Sequence, residues 1–330
     1  METLLWCVVS VTIVHKALFL LTFPDEVARQ YPERIRDAFP ELEVVLVDHH
    51  SKVGPYISEA NILLTFGGMM TDDVLAQASN LDWIQALGTG VDGIVDRPSL
   101  RDEVLVTNMR GIHGPPVSEA AVLAMLALSR DLPRAIRNQT QGIWDRFMPS
   151  LLKGKTVGIF GMGLIAEELA PKCKAFGMHV TGITSTVRHV QGFDEIRHRD
   201  DILDVIGDLD FLVLLVPLSA DTEGIVDADL LSKMKSSAYL VNVSRGGVVD
   251  EVALLATLQA GGIAGAALDV FSEEPLAADS PFWSMENVLI TPKQGGYCDV
   301  YADQALPIVE QNIRRYLDGA TSTMLNVVTR

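Results

Sequence analysis

Apolar runs rich in Val, Ile and Leu recur at 17–23, 44–47, 62–66, 81–87 and 104–107, separated by stretches with helical spacing. Continuous apolar runs read as strands buried on both faces, as in parallel sheets flanked by helices. Asp25 is placed to cap a helix reaching about Phe39, and Thr71 to cap one reaching Ala78. The run at 81–87 ends in Gly88-Thr89-Gly90. Pro115-Pro116 then breaks the pattern. From Ser118 a helical stretch at 119–130 is apolar on most faces, which predicts burial between domains or in a subunit contact. A second helical stretch at 132–144 and a linker at 150–155 follow. The alternation then resumes, with strands at 156–160, 179–183, 211–216, 239–243, 264–268 and 288–290. Helices fall at 167–176, 202–206, 230–234 and 251–259, the last ended by Gly261-Gly262. A closing helix at 301–316 has no strand after it and is expected to return to the first domain. The pattern predicts α/β architecture with two doubly wound parallel-sheet domains and a cleft between them. Residues 1–108 with 297–330 are expected as one domain, of flavodoxin-like type, and residues 109–296 as the other, of Rossmann type.

One stretch organises the second domain. In TVGIFGMGLIA, the strand at 156–160 runs into Gly161-Met162-Gly163-Leu164-Ile165-Ala166 and then into a helix. Gly161 permits the tight turn, and Gly163 lets the backbone approach a pyrophosphate held by the free amides and positive dipole end of the helix. Ala166 takes the third position, as the looser fingerprint allows. Open α/β sheets bind ligands at the carboxyl ends of their strands. There the sequence supplies Pro217 after Val216, Ser244 and Arg245 after Val243, and Asp269 after Leu268 with Glu273-Glu274-Pro275 close behind. Thr291-Pro292-Lys293-Gln294-Gly295 follows Ile290. One Arg, one Glu and one Lys after three strands of one domain make a cleft constellation, not a surface charge run.

Composition narrows the classes. A net charge of −17 argues against nucleic acid or an anionic membrane surface as a partner. Cys7, Cys173 and Cys298 offer neither a disulfide framework nor a zinc motif, and the seven histidines show no ligand spacing. No metal is expected, and a reducing, cytoplasmic compartment is. The apolar stretch 4–14 is shorter than the ~20 residues that span a bilayer. It also lacks the flanks of a signal peptide. It reads as an extra strand or an unstructured extension ahead of the strand at 17–23.

The segments TVGIFGMGLIAEELA, VNVSRGGVVDE, ALDVFSEEPL and NVLITPKQGG, in this order and spacing, resemble the D-isomer-specific 2-hydroxyacid dehydrogenase family, which includes glyoxylate/hydroxypyruvate reductases and phosphoglycerate dehydrogenases. LGTGVDGI and Val117-Ser118-Glu119 extend the resemblance into the first domain. It implies an NAD(P)-dependent oxidoreductase that moves a hydride between nicotinamide and C2 of a small 2-oxo acid or D-2-hydroxy acid, working as a homodimer. Arg245 matches the arginine that binds the substrate carboxylate and polarises the 2-oxo group, a task suited to a permanently charged planar fork. Thr89 and Gly90 match the turn whose amides hold the same carboxylate. Glu274 matches the acid that orients the catalytic residue, with Glu273 as local rival, and Asp269 matches the acid that binds the nicotinamide amide. The implied cofactor set is Gly161, Gly163, Leu164, Ile165, Thr184, Ser185, Arg188, Val216, Pro217, Thr222, Val243, Arg245, Asp269 and Gly295.

Lys293 departs from the pattern. The family has histidine there, which titrates near neutrality and can both give and take a proton. Three readings stand. Lys293 is the working acid in a dry cleft, donating a proton or stabilising an alkoxide. Alternatively, Tyr297, Tyr301 or His113 supplies the proton. In the third, the usual chemistry is reduced, leaving a nucleotide-binding sensor or corepressor-like protein, or a reductase for a non-standard substrate. The dinucleotide is expected to be NADP rather than NAD. The strand at 179–183 leads to Thr184-Ser185-Thr186, with no acid for the ribose hydroxyls, and Arg188 is available for a 2′-phosphate.

Overall fold

The computed structural model describes residues 14–22 and 25–329, and these divide into two units, one holding the described residues up to 112 together with those from 299 onward, the other residues 113–298. In the first unit the elements run β1 (Lys16–Leu20), α1 (Asp25–Ala38), β2 (Glu43–Val47), α2 (Gly54–Ile57), β3 (Ile62–Thr65), α3 (Asp72–Gln77), β4 (Trp83–Ala86) and β5 (Leu105–Thr107). They form a parallel sheet in the order β2-β1-β3-β4-β5, with Leu18 beside Val45 and Leu63. The central strands β3 and β4 are buried along their whole length, which is why they read as unbroken apolar runs. The apolar stretch 4–14 lies outside the described residues except for Val14, as does the expected end of the first strand at Phe23.

In the second unit come α4 (Gly114–Ser129), α5 (Leu132–Gln141), β6 (Thr156–Phe160), α6 (Leu164–Ala175), β7 (His179–Thr184), β8 (Glu195–His198), α7 (Ile202–Val205) and β9 (Phe211–Leu214). Then follow α8 (Ala228–Lys233), β10 (Tyr239–Asn242), α9 (Glu251–Gln259), β11 (Gly265–Leu268) and β12 (Val288–Ile290), while α10 (Tyr301–Leu317) belongs to the first unit. The sheet order is β12-β11-β10-β9-β6-β7-β8, all parallel. The order reverses at β6, between β9 and β7. That is the switch point at which a doubly wound sheet opens a crevice beyond its carboxyl ends.

Two sequence expectations are corrected. Pro115 and Pro116 do not break the chain but lie in the first turn of α4, where no amide is needed and proline's fixed φ suits the helix. Helix α4 is buried against its own unit. It packs on α6, β10 and β11 of its own unit, and its buried face includes Ala121, Ala124, Met125 and Leu128. Helix α5 ends at Gln141, where Gly142 takes a left-handed cap at φ 67°, so Trp144 lies beyond it. The half-buried edge strand β8 carries Glu195, Arg197 and His198, and such a polar segment gives no apolar signal.

Helix α10 is fastened to the first sheet by a buried polar chain. Trp83 donates its indole N–H to Thr107 Oγ1 at 2.8 Å, Thr107 donates to Gln85 Oε1 at 2.8 Å, and Asn312 Nδ2 donates to that same oxygen at 3.1 Å. Asn312 also accepts from the Leu325 amide at 2.7 Å and donates to the Leu325 carbonyl at 3.1 Å. The chain beyond α10 then forms an antiparallel bridge between Val327 and Thr107, a return that no sequence signal announced. Asn312→Leu keeps the branching and the number of side-chain heavy atoms but orphans both Leu325 groups. It should destabilise this unit by about 1–3 kcal/mol, read as a lower urea midpoint. An unchanged midpoint would show that the network contributes nothing.

Candidate active site

The second unit gathers its chemistry at the carboxyl ends of β6, β7, β9, β10, β11 and β12. After β6, Gly161 turns at φ 106°, and a Cβ there would stand 2.8 Å from the Leu215 carbonyl carbon. No side chain fits, for reasons of both conformation and space. Gly163 caps α6 in an extended conformation, and a Cβ on it would meet nothing within 4 Å. The space above the helix start is therefore open. The amides of Leu164 and Ile165 lead α6, and first-turn amides have no acceptor within the helix.

Beyond β7, Thr184 Oγ1 accepts from the Thr186 amide at 3.3 Å, and His198 Nε2 contacts the Ser185 carbonyl at 3.0 Å. Arg188 reaches back across the glycine turn. Its Nη2 donates to the Met162 carbonyl at 3.3 Å and to Glu167 Oε1 at 2.6 Å. Sequence reasoning named Arg188 but missed Glu167, which lies 21 residues away along the chain. Beyond β9, Thr222 is buried and its hydroxyl serves the turn itself. It donates to the Pro217 carbonyl at 2.6 Å and accepts from the Ser219 amide at 2.8 Å, holding the segment that follows Val216.

Beyond β10, Asn242 holds the turn that presents Arg245. Its Nδ2 donates to the Arg245 carbonyl at 3.0 Å, and its Oδ1 accepts from Ser244 Oγ at 2.9 Å. Arg245 Nη1 donates to the Ser244 carbonyl at 2.6 Å, which restrains the guanidinium. Gly246 follows because a Cβ there would stand 1.9 Å from the Phe271 carbonyl carbon.

Beyond β11, Asp269 is buried and clamps the loop after β12. Oδ1 accepts from Thr291 Oγ1 at 2.5 Å and from the Gln294 amide at 2.9 Å, while Oδ2 accepts from the Gly295 amide at 2.9 Å. The Asp269 carbonyl accepts from the Lys293 amide at 2.8 Å. This clamp holds Lys293 at φ 54°, a left-handed backbone that costs a non-glycine residue on the order of 1–3 kcal/mol. Thr291 carried no role in the sequence reading; its contribution arises only through the fold.

The Lys293 ammonium donates to Glu274 Oε2, and Glu274 Oε1 accepts from the Phe271 amide at 3.2 Å. It is Glu274, not Glu273, that meets Lys293. The lysine side chain is 54% exposed and the glutamate 28%. A cavity of about 390 Å³ adjoins this loop, lined by Val243, Leu268, Asp269, Gly295 and Tyr297 together with Ala120 of α4. His113 packs against the same loop, since a Cβ on Gly296 would stand 3.2 Å from its Cδ2. Among the described residues no group of three His, Cys, Asp or Glu side chains could hold a metal, and no helix is long and apolar enough to cross a membrane.

In the first unit, Thr89 and Gly90 lie in the turn beyond β4. The Thr89 carbonyl accepts from Asn108 Nδ2 at 2.7 Å, and the Met109 amide donates to the Gly88 carbonyl at 3.0 Å. Tyr301 is buried and donates its hydroxyl to the Leu87 carbonyl. That phenol serves to anchor the turn. His49 and His50 lie with their ring centroids 4.0 Å apart and tilted by 35°, and His49 caps the turn that follows it.

A family model described as D-isomer specific 2-hydroxyacid dehydrogenase, NAD binding domain, matches residues 122–295. A D-3-phosphoglycerate dehydrogenase of Methanocaldococcus jannaschii is 34% identical over 293 residues, covering 87% of this chain and 55% of that protein. The chain thus spans about half the length of the curated relatives it matches. Among solved structures, a D-isomer specific 2-hydroxyacid dehydrogenase family protein from Aeromonas salmonicida is 32% identical with a TM-score of 0.85, covering 96% of this chain and 99% of the other. An NADPH-dependent glyoxylate/hydroxypyruvate reductase from Sinorhizobium meliloti, in complex with NADP and sulfate, is 28% identical with a TM-score of 0.81, covering 95% and 98%.

Proposed function

The chain belongs to the D-isomer specific 2-hydroxyacid dehydrogenase family, and from that premise we propose that it reduces a small 2-oxo acid to the D-2-hydroxy acid. Residues 113–298 would hold the dinucleotide, and the remainder would contribute to holding the substrate. The observation that carries the reading is the pairing of Lys293 with Glu274 on a loop clamped by Asp269, in the unit that also bears the glycine turn and Arg245.

The residues present suit a nicotinamide dinucleotide. Gly161 leaves no room for a side chain, the space above Gly163 is open, and the cavity beside Asp269 and Gly295 has the volume of a small ring site. Leu164 and Ile165 would offer their amides to the pyrophosphate, and Val216, Pro217 and Val243 would line its path. Asp269 already accepts three hydrogen bonds, and a carboxylate has about four lone-pair sites. One site on Oδ2 is thus left for the carboxamide N–H of the nicotinamide. Thr184, Ser185 and Arg188 would meet the adenosine ribose, and the absence of an acid at Thr184 favours NADP over NAD.

Bound NADPH or NADH supplies the hydride. Arg245 would grip the substrate carboxylate as a fork and draw charge toward the 2-oxo oxygen, with the Thr89–Gly90 amides on the same carboxylate. Lys293 Nζ would deliver a proton to the oxygen as C2 is reduced, or hold the developing negative charge, while Glu274 keeps the ammonium in place. We also infer a homodimer in the cytoplasm, without nucleic acid or membrane partners. Its support is the exposure of apolar side chains, Trp144 at 94% and Met148 at 96% in the segment after α5, together with the exposed Leu123 of α4.

The test follows NADPH and NADH oxidation by absorbance against a panel of 2-oxo acids. Turnover with one or more members, faster with NADPH, is expected. Tight dinucleotide binding without turnover across the panel would overturn the reductase and favour a sensing role.

A further inference from the structure

The end of β7 lacks the acid that ordinarily receives the ribose hydroxyls of NAD, because Thr184 stands there. A carboxylate is nevertheless delivered to this corner from another element. Glu167 lies in the first turn of α6 and holds Arg188 at 2.6 Å, while the same Arg188 nitrogen contacts the Met162 carbonyl of the glycine turn at 3.3 Å. The guanidinium therefore crosses from the segment after β7 to the start of α6. The arginine side chain is 50% exposed and the glutamate 39%, so a ligand at this corner can reach both.

Their chemistries are opposed. A guanidinium receives a phosphate bidentately, whereas a carboxylate accepts hydroxyl hydrogens and repels phosphate. We propose that Glu167, acting with Arg188, sets the choice between NADP and NAD. This rests on the dinucleotide reading above. With NADP, the 2′-phosphate competes with Glu167 for Arg188 and is opposed by the glutamate's charge. With NAD, Glu167 keeps Arg188 and offers its remaining lone pairs to the ribose hydroxyls, standing in for the acid missing at Thr184. One ion pair thus makes the chain tolerant of both cofactors and moderates its preference for NADP.

The experiment measures dissociation constants of NADPH and NADH for the chain by isothermal titration calorimetry, without substrate, so catalysis does not enter. Exposed charge pairs are worth up to about 1 kcal/mol, or roughly fivefold. Glu167→Gln should therefore tighten NADPH about three- to fivefold while weakening NADH, moving the ratio of the two constants by about tenfold. Arg188→Ala should weaken NADPH by tenfold or more and leave NADH nearly unchanged, on the order of a lost charge-assisted phosphate contact. The NADPH gain in Glu167→Gln should shrink as salt rises. If Glu167→Gln shifts both constants by the same factor, or neither, Glu167 is a helix-start residue without a selective role and the inference fails. A wild-type chain that binds neither dinucleotide overturns the parent reading as well. One that binds both, with a ratio insensitive to Glu167, overturns this inference alone.

Discussion

Arg245→Ala is expected to lower kcat/KM for the 2-oxo acid by two to three orders of magnitude. The side chain is half-buried, its carbonyl is fixed by Asn242, and one guanidinium nitrogen is anchored on Ser244, so the fork is aimed before substrate arrives. Truncating one partner of a desolvated, hydrogen-bonded charge pair costs about 2–5 kcal/mol, or roughly 30- to 5,000-fold. The middle of that range is expected, and the residue is proposed both to bind the carboxylate and to polarise the oxo group. The first role is read in KM and the second in kcat, so both should move. Arg245→Lys keeps the charge but loses the planar fork, and should fall between wild type and Arg245→Ala. Circular dichroism checks that the fold is intact. A folded Arg245→Ala enzyme within threefold of wild type would remove Arg245 from the site.

Much of this arrangement was legible in the chain, for identifiable reasons. Buried parallel strands announce themselves because both faces are covered, so β1, β3, β6 and β9 appear as apolar runs. The glycine turn was legible because the conformation at Gly161 and the closeness of Leu215 leave only one residue type. Strand β8 escaped because a half-exposed edge strand carries no such run. The proline pair misled because proline both ends helices and begins them, and only the amide accounting of the first turn separates the two uses.

At the site, residue types were legible and their connections were not. Arg188 was named, but its partner Glu167 is on another element. Thr222 was expected to face a cofactor, yet its hydroxyl is engaged by its own turn. The Asp269 clamp joins residues more than 20 positions apart, and no periodicity encodes it. That clamp explains how a lysine can stand at this loop position. The left-handed backbone of Lys293 is imposed by bonds to Asp269 and Thr291 and does not depend on its own side chain.

Lys293→Ala is therefore expected to leave the loop in place and remove only the ammonium. General acid or electrostatic assistance to the forming alkoxide is worth about 10²–10⁴-fold. A drop of that size in kcat, with KM for the 2-oxo acid little changed, is the expected result. The substitution to histidine separates the two parts of the role. Lysine as a residue type holds its proton throughout the neutral range, so it can give a proton during reduction but is poorly prepared to take one during oxidation. Histidine does both near neutrality. The wild type should thus reduce the 2-oxo acid well at pH 7 and oxidise the D-2-hydroxy acid usefully only at high pH. Lys293→His should bring appreciable oxidation down to pH 7, with Glu274 positioning the imidazole in place of the ammonium. Comparable wild-type rates in both directions at pH 7, with both substrates saturating, would assign the proton to another group, and His113, packed against the same loop, would be the first to replace. Activity that appears only in Lys293→His would instead mean that lysine has closed the usual chemistry, leaving the dinucleotide site to serve binding.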